Sequence, residues 1–198
     1  MVVGGYLISP VVSGILIFPL ALALWFYRDP DRTPPACDAW VSPADGTVVE
    51  IVEDAEDSYA GRATKVGIFM SGLDVHVNRF PTEGIVEDMR YVPGKKWFAI
   101  APKASELNER LYTGIMTSQG RTTLVQIAGI MARRIVCRVK TGEALARGER
   151  YGMIKLGSKV DIYLPAAVKP AVRLGDKVKA GESVIGVIEI DEIAQKTS

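Results

Sequence analysis

Residues Tyr151–Pro165 read YGMIKLGSKVDIYLP, and the alternation in the second half of this stretch predicts the fold. After Gly157 and Ser158, apolar side chains occupy every second position as far as Leu164. A period of two is typical of a β-strand with one buried face. Gly157 has no Cβ and can take backbone dihedrals that other residues avoid. The stretch therefore predicts a rigid strand that begins directly after a bent glycine.

The Gly157-Ser158 pair has two interpretations. Most such pairs before a strand are only turns. The alternative is chemical, because a serine held between a bent glycine and a rigid strand is well placed for an N-to-O acyl shift. Its Oγ would attack the Gly157 carbonyl, the peptide would become an ester, and β-elimination would break the chain. Ser158 would then become an N-terminal pyruvoyl group, after its amine departs as ammonia.

The block Arg150–Pro165 resembles the self-cleavage site of phosphatidylserine decarboxylase proenzymes, in particular their short form. Other segments are similar to the same family, so that the likeness extends over nearly the whole chain: FYRDPDRTPP, VSPADG, DVHVNRFP and VQIAGIMARRIV. The resemblance implies cleavage between Gly157 and Ser158 into a 1–157 β chain and a 158–198 α chain. The two chains would stay together as a heterodimer, and a higher oligomer is left open.

The same resemblance implies the activity and the cofactor. The expected reaction is decarboxylation of a serine phospholipid to the ethanolamine lipid, through a Schiff base with the covalent pyruvoyl group derived from Ser158. This group replaces the electron-sink role of pyridoxal phosphate. The substrate is expected to be phosphatidylserine or, as for the archaeal relatives, archaetidylserine.

Asp45 and His76 are the other predicted catalytic residues. On pattern alone, an Asp-Gly pair is most often a turn, and a lone histidine in an alternating segment is most often structural. In the family, a Ser-Pro-x-Asp-Gly segment and an Asp-x-His segment supply the aspartate and histidine of an Asp-His-Ser arrangement. Asp45 would orient the imidazole, and His76 would exchange protons near neutral pH.

Arg79 is a departure from the longer bacterial enzymes of the family. They carry a second histidine three positions after the first, and this chain has Arg79 there. A guanidinium does not lose its proton in proteins and cannot serve as a base. Either His76 serves both self-cleavage and decarboxylation, or another group performs one of the two steps.

Basic side chains in two segments are candidates for binding the substrate. Lys96 stands beside Trp97 and Phe98, a pairing of charge and aromatic rings that suits an anionic lipid headgroup. Arg133 and Arg134 could pair with a phosphate or with the substrate carboxylate. Adjacent residues on a strand point to opposite faces, so that at most one of the two arginines is expected to line a given pocket.

Composition excludes several function classes. The chain of 198 residues holds 24 Lys plus Arg and 23 Asp plus Glu, a balance that gives no indication of nucleic acid as a partner. With one histidine, a multi-histidine metal site is excluded, and no metal is expected. Cys37 and Cys137 are expected to be two unpaired thiols in a reducing compartment, with a disulfide as the alternative.

Residues 1–27 contain no charged side chain and are predicted to be a membrane anchor. Pro10 and Pro19 favour a kink or a shorter spanning piece. Aromatic residues close the segment, in the manner of an interfacial belt, and Arg28 and Arg32 follow. By the positive-inside rule, the rest of the protein is expected at the cell membrane on its cytoplasmic side. A buried core helix and a hairpin or in-plane anchor are the alternatives.

The remainder is predicted to be a linker, residues 28–40, and a catalytic domain, residues 41–198. The fold is expected to be mainly β (α+β), with a barrel-sandwich or lipoyl-like core. Its strands include 64–70, 84–92, 122–127 and 135–139, and one short helix is predicted over Pro102–Leu111. The 165–190 segment has the strand–turn–strand pattern of lipoyl and biotinyl domains.

Three rival functions share some of these features. A membrane-anchored, lipoyl-like adaptor without enzymatic activity would need long heptad helices, which the sequence lacks. A lipoyl or biotin carrier would need a lysine in a hallmark setting such as Met-Lys-Met, which is absent. A soluble pyruvoyl enzyme acting on a free amino acid would not need the anchor.

Overall fold

We describe the protein from a computed structural model that covers residues 10–95, 107–129, 135–155 and 157–188, with side chains from residue 15 onward. One helix, α1 (Pro10–Phe26), precedes fourteen strands in this part of the chain. The strands are β1 (Ala39–Val41), β2 (Gly46–Asp57), β3 (Gly61–Met70), β4 (Val77–Arg79), β5 (Gly84–Val92), β6 (Arg110–Thr117), β7 (Gly120–Ile127), β8 (Ile135–Cys137), β9 (Ala144–Leu145), β10 (Arg150–Ile154), β11 (Ser158–Leu164), β12 (Val168–Pro170), β13 (Lys177–Val178) and β14 (Val184–Ile188).

The strands form three sheets in which all named strand pairs are antiparallel. The largest has eight strands in the order β13-β2-β3-β11-β7-β6-β5-β9. The other two have three strands each, in the orders β1-β14-β12 and β4-β10-β8. β11 lies inside the large sheet, paired with β3 along one edge and with β7 along the other. The strand that begins at Ser158 is therefore held on both sides.

The hydrophobic core forms on one face of β11, as the alternation predicted. Val160, Ile162 and Leu164 have no exposed surface and belong to one cluster with side chains from all three sheets. Among the largest fully buried members of that cluster are Trp40, Ile68, Phe80, Leu124, Tyr151 and Ile185. Burial of an aliphatic side chain of this size contributes about 1.5–3 kcal/mol, so that this face holds the three sheets together.

The helix α1 begins at Pro10, where a proline is tolerated because the first turn has no backbone acceptor for its nitrogen. Its 17 residues include Pro19 and correspond to about 25 Å at 1.5 Å per residue. Most of its described side chains are apolar and exposed. Within the described ranges, no helix reaches the length and apolarity needed to cross a bilayer.

The segment after α1 is fixed to the sheets by arginines. Arg32 pairs with Asp45 at 3.0 Å and with Glu182 at 2.8 Å. The guanidinium of Arg147 donates to the backbone carbonyls of Pro35, Cys37 and Ala39. These contacts attach the proline-rich linker to the strands along its length.

The prediction of a mainly β fold is confirmed, and β5 matches the predicted 84–92 strand at both ends. Both cysteines are free, as expected. The predicted helix over Pro102–Leu111 is wrong at its C-terminal end, because Arg110 and Leu111 pair with β7 and β5 as the start of β6. Residues 102–106 of that helix lie outside the described residues.

Candidate active site

Ser158 is the first residue of β11, and its side chain is enclosed. It has no exposed surface, and its backbone pairs with Met70 of β3. Its Oγ has no hydrogen-bond partner in the described part of the chain. A buried hydroxyl without a partner costs free energy, and such groups concentrate at functional sites. The serine is therefore suited to act as a nucleophile rather than as a structural hydroxyl.

Gly157 has the bent backbone that the sequence predicted, with a φ of +62°. A Cβ at this position would meet nothing within 4 Å. The need for glycine therefore comes from the dihedral alone and not from lack of space. The left-handed residue turns the chain between β10 and β11 directly before Ser158.

His76 is a buried, neutral imidazole. Its Nδ1 lies 2.8 Å from the Asp74 carbonyl oxygen, and because a carbonyl only accepts, Nδ1 carries the proton. Nε2 is then an acceptor, and it has no partner among the described residues. Burial lowers the pKa of His76 below its ordinary value of 6.5. The side chain therefore presents a free lone pair that can receive a proton.

Phe26, the last residue of α1, covers the His76 ring. The two ring centroids are 4.3 Å apart, and Phe26 is buried while its neighbours Trp25 and Tyr27 are exposed. The sequence analysis placed all three aromatic residues in an interfacial belt, and for Phe26 the structure gives a buried contact instead. Helical spacing alone did not reveal which of the three faces the sheets.

The His76 segment and Ser158 have a common neighbour. The Asn78 side-chain amide lies 3.7 Å from the Met70 sulfur, and Met70 is the cross-strand partner of Ser158. The Ile154 amide, in the strand before the Gly157 turn, donates to the His76 carbonyl at 3.4 Å. These contacts bring the two segments together. No hydrogen bond joins Ser158 Oγ to His76 Nε2 in this structure.

Asp45 is buried but bonds elsewhere. One carboxylate oxygen accepts from the Ala180 amide at 2.7 Å and the other from Arg32 at 3.0 Å. Burial raises the pKa of Asp45, and the Ala180 and Arg32 contacts oppose that shift. The structure records no hydrogen bond from Asp45 to His76, whose Nδ1 is occupied by the Asp74 carbonyl. A catalytic role for Asp45 stays a prediction.

Arg79 fixes the linker. Its guanidinium donates to the carbonyls of Gly148 and Pro30 and pairs with Asp29 at 3.2 Å. The side chain is nearly buried, and burial lowers its pKa from the ordinary arginine value. Arg79 is thus a structural clamp on the linker.

A charged cluster lies on the other face of β11. The Lys159 ammonium contacts Glu50 and, at 3.1 Å, Asp161. Lys65 contacts the same two carboxylates at 2.9 and 3.4 Å. Burial by itself would raise the pKa of Glu50, but the hydrogen bonds from the two lysines hold it below its ordinary value. This cluster was not predicted from the sequence, because Lys159 and Asp161 of β11 meet partners on β2 and β3 that are distant in the chain.

Lys96, Arg133 and Arg134 lie outside the described residues, and their role in substrate binding stays a prediction. Among the basic side chains that the structure does describe, one lies beside the end of α1. Lys155 lies 5.6 Å from the Tyr27 ring centroid. It belongs to the Tyr151–Pro165 stretch but was not predicted as a site residue, because a single lysine beside a strand end has no distinctive pattern.

Comparison with known proteins identifies the class of protein to which this fold and this Gly157-Ser158 turn belong. A family model described as phosphatidylserine decarboxylase matches residues 20–186. The chain belongs to the phosphatidylserine decarboxylase family.

Relatives from three bacteria each carry the name phosphatidylserine decarboxylase proenzyme. The protein from Solidesulfovibrio magneticus is 46% identical over 89% of this chain and 83% of its own length. The protein from Cupriavidus pinatubonensis is 45% identical over 96% of this chain and 92% of its own. The protein from Pelobacter propionicus is 45% identical over 92% of this chain and 85% of its own. The resemblance noted in the sequence is therefore confirmed.

Proposed function

We propose that this chain is the precursor of an enzyme that decarboxylates phosphatidylserine with a pyruvoyl group made from its own Ser158. The observation that carries the proposal is the buried, unpartnered Oγ of Ser158 behind the left-handed Gly157. Membership of the phosphatidylserine decarboxylase family supports the reaction class. The alternative of a non-enzymatic lipoyl-like adaptor is not favoured by that membership.

The proposed self-cleavage needs a base and one water molecule. Ser158 Oγ attacks the Gly157 carbonyl carbon, the peptide C–N bond breaks, and an ester forms while the nitrogen becomes an amine. Removal of the Ser158 Cα proton then expels the Gly157 carboxylate and leaves a dehydroalanine. That group tautomerises to an imine, and water hydrolyses it to the pyruvoyl ketone with release of ammonia. No oxidant or reductant is required.

His76 is the proposed base and the later proton donor. Its Nε2 lone pair is buried and free among the described residues, and the lowered pKa keeps the ring neutral near pH 7. A neutral imidazole can accept the proton of Ser158 Oγ and return a proton to a carbon in the same pocket. The Asp74 carbonyl fixes the tautomer.

The cofactor, when formed, supplies an electrophilic ketone that accepts the electron pair released by loss of carbon dioxide. The surroundings of Ser158 suit such a group. The side chain is enclosed in the uncut chain, which limits the access of bulk water to a reactive carbonyl. The Ser158 backbone pairs with Met70 of β3, and β7 pairs with the other edge of β11 from Lys159 onward.

We also propose the predicted division into an anchor over 1–27, a linker over 28–40 and a catalytic domain over 41–198. The exposed apolar side chains of α1 support attachment to a membrane. Arg28 and Arg32, directly after the helix, favour a catalytic domain on the cytoplasmic side. The strand–turn–strand pattern of the last segment supports the proposed likeness to lipoyl domains.

The function is tested by incubating the purified protein with phosphatidylserine vesicles and measuring carbon dioxide and phosphatidylethanolamine. The wild-type chain is expected to produce both in equal amounts, and Ser158→Ala neither. A parallel assay with archaetidylserine tests which of the two lipids the enzyme accepts as its substrate. Absence of product from every serine phospholipid in a chain that has been cleaved at Ser158 would overturn the proposed activity.

A further inference from the structure

A cavity of about 360 Å³ lies where the end of α1 meets the three-stranded β4-β10-β8 sheet. None of the residues assigned above to the chemistry lines it. Its walls combine an aromatic ring, an apolar floor and basic side chains, which is the composition expected for a site that binds an anionic amphiphile.

The floor of the cavity is a row of apolar side chains across the sheet. Met153 of β10 is paired with Val77 of β4 and with Val136 of β8. Residues that are directly paired across strands point to the same face of a sheet. All three line the cavity, so that the sheet presents one apolar strip to it.

Basic side chains outnumber acidic ones around this strip. Lys155, Arg138 and Arg150 line the cavity, with Asp29 as the acidic member. Arg150 is already paired with Asp29 at 2.7 Å. In the part of the chain that the structure describes, Lys155 and Arg138 form no ion pair with a carboxylate. Two cations therefore remain for an anionic ligand.

Residues that line the cavity are close in sequence to the proposed catalytic residues. Val77 directly follows His76 in the chain, and Lys155 stands three positions before Ser158. Tyr27 lines the cavity, and the preceding residue, Phe26, packs on the His76 ring. The cavity and His76 therefore share two neighbouring segments, the end of α1 and the start of β4.

We propose that this cavity binds the phosphodiester of the serine phospholipid, with Lys155 and Arg138 as its cationic partners. The inference rests on the proposed function, because it names the subsite for the headgroup of that substrate. The serine end of the headgroup would extend toward His76 and Ser158. The acyl chains would leave past Tyr27 along the exposed apolar side chains of α1. The two cations are chemically suited to a phosphate, which each can meet with charge-assisted hydrogen bonds.

The test uses Lys155→Met and Arg138→Met in the full chain, with Lys179→Met and Arg173→Met as matched controls on an exposed part of the surface. Self-cleavage is measured first on a denaturing gel, and all four variants are expected to be cleaved. Decarboxylation is then measured with dihexanoylphosphatidylserine, a short-chain lipid kept below its micelle concentration, and separately with long-chain vesicles.

With the monomeric lipid, each cavity variant is expected to raise KM about tenfold, the effect of one lost charge-assisted hydrogen bond, with a smaller change in kcat. The controls should match the wild type. A loss seen only on vesicles would overturn the proposal, since it would mean that the two cations attract the membrane surface in general. KM values equal to those of the controls would overturn it as well.

A second measurement does not depend on the pyruvoyl group. Titration calorimetry of glycerophosphoserine against Ser158→Ala, with and without Lys155→Met, is expected to show weaker binding in the double variant. Equal binding in both chains would contradict the subsite. If the lysine-dependent binding is present while the wild type decarboxylates no lipid, the anion site stands and the proposed function fails.

Discussion

At the scale of the residue, Gly157 is constrained by its dihedral and Ser158 by its enclosure. A non-glycine residue in the left-handed region costs about 1–2 kcal/mol. Because space around Gly157 is open, Gly157→Ala is expected to fold and to shift the chain before Ser158 away from the geometry for attack. We expect cleavage to be slowed, as measured by the fraction of uncut chain on a denaturing gel over time.

Gly61 provides the matched control for this prediction. It has a φ of +74° and open space around it, and it is the first residue of β3, directly after the turn that follows β2. Gly61→Ala should therefore carry similar backbone strain without changing the rate of cleavage. Equal slowing in the two variants would mean that general destabilisation, and not the conformation at the scissile bond, limits the reaction.

The burial of His76 sets the expected pH dependence. The pKa of His76 in the folded protein lies below the ordinary 6.5, so that most of the imidazole is still neutral at pH 6.5. Because the pKa of His76 is lower in the folded chain than in the unfolded chain, protonation of the ring favours the unfolded chain. The contribution of neutral His76 to the free energy of unfolding is therefore full above pH 6.5 and is lost as the pH falls through the lowered pKa. We expect the rate of self-cleavage to be level above pH 6.5 and to decline with a midpoint below it.

This rate can be followed by producing the chain in a cell-free system and shifting it into buffers from mildly acid to mildly alkaline pH. His76→Gln is the control and is expected to remain uncut at every pH. A midpoint at or above the ordinary histidine value would show that another group is the base.

A conformation that depends on a single residue could be predicted from the sequence. A side chain's hydrogen bonds to residues elsewhere in the chain could not. The bent Gly157 followed from the absence of a Cβ, and the structure confirms it. The bonds of Asp45 to Arg32 and Ala180 join residues that are distant in sequence, and no local pattern reveals them. The clamp formed by Arg79 with Asp29 depends in the same way on the path of the linker.

At the scale of the element, β11 has two different faces with two different tasks. One carries Ser158 and the apolar core, and the other carries Lys159 and Asp161 in a charged cluster. Gly67 of β3 leaves room for the lysine, because a Cβ there would meet Lys159 Cε at 2.6 Å. The cluster joins β2, β3 and β11 next to the cleavage site.

Removal of one partner from a buried ion cluster leaves an uncompensated charge. Lys159→Met is therefore expected to lower the free energy of unfolding by about 3 kcal/mol, measured by urea denaturation in the uncut Ser158→Ala background. Arg62→Met is the control, since its pair with Asp54 is largely exposed and should contribute nothing measurable. A change for Lys159→Met no larger than that of the control would mean that the cluster does not stabilise β11.

The strands were predicted better than the helix for a physical reason. The alternation of apolar and polar residues over Val160–Leu164 identifies β11 directly in the sequence, although both faces of the strand are buried. The segment over Pro102–Leu111 has helix-favouring residues, yet Arg110 and Leu111 obtain their backbone partners from β5 and β7. Pairing with distant strands prevailed there over local propensity.

At the scale of the whole molecule, the break between Gly157 and Ser158 would divide the sheets without separating them. Residues before the break supply β3 and β7, which hold β11 from both sides, and β1, which pairs with β14. Both products of cleavage therefore share one hydrophobic core.

The cleaved protein is expected to run as one particle in size-exclusion chromatography under native conditions. Denaturant should release the 158–198 piece, which a denaturing gel would then resolve. Elution of the small piece by itself without denaturant would contradict the shared core. Ser158→Ala, which should remain one chain, serves as the reference for the elution volume.

The conversion of Ser158 to a pyruvoyl group can be seen in the intact mass of the purified protein, measured beside Ser158→Ala. The account predicts two fragments in the wild type, residues 1–157 and a 158–198 piece that is lighter by one ammonia than simple hydrolysis would leave. The variant should give one uncut chain. A single uncut chain in both samples, or a 158–198 fragment with the full hydrolytic mass, would contradict the account.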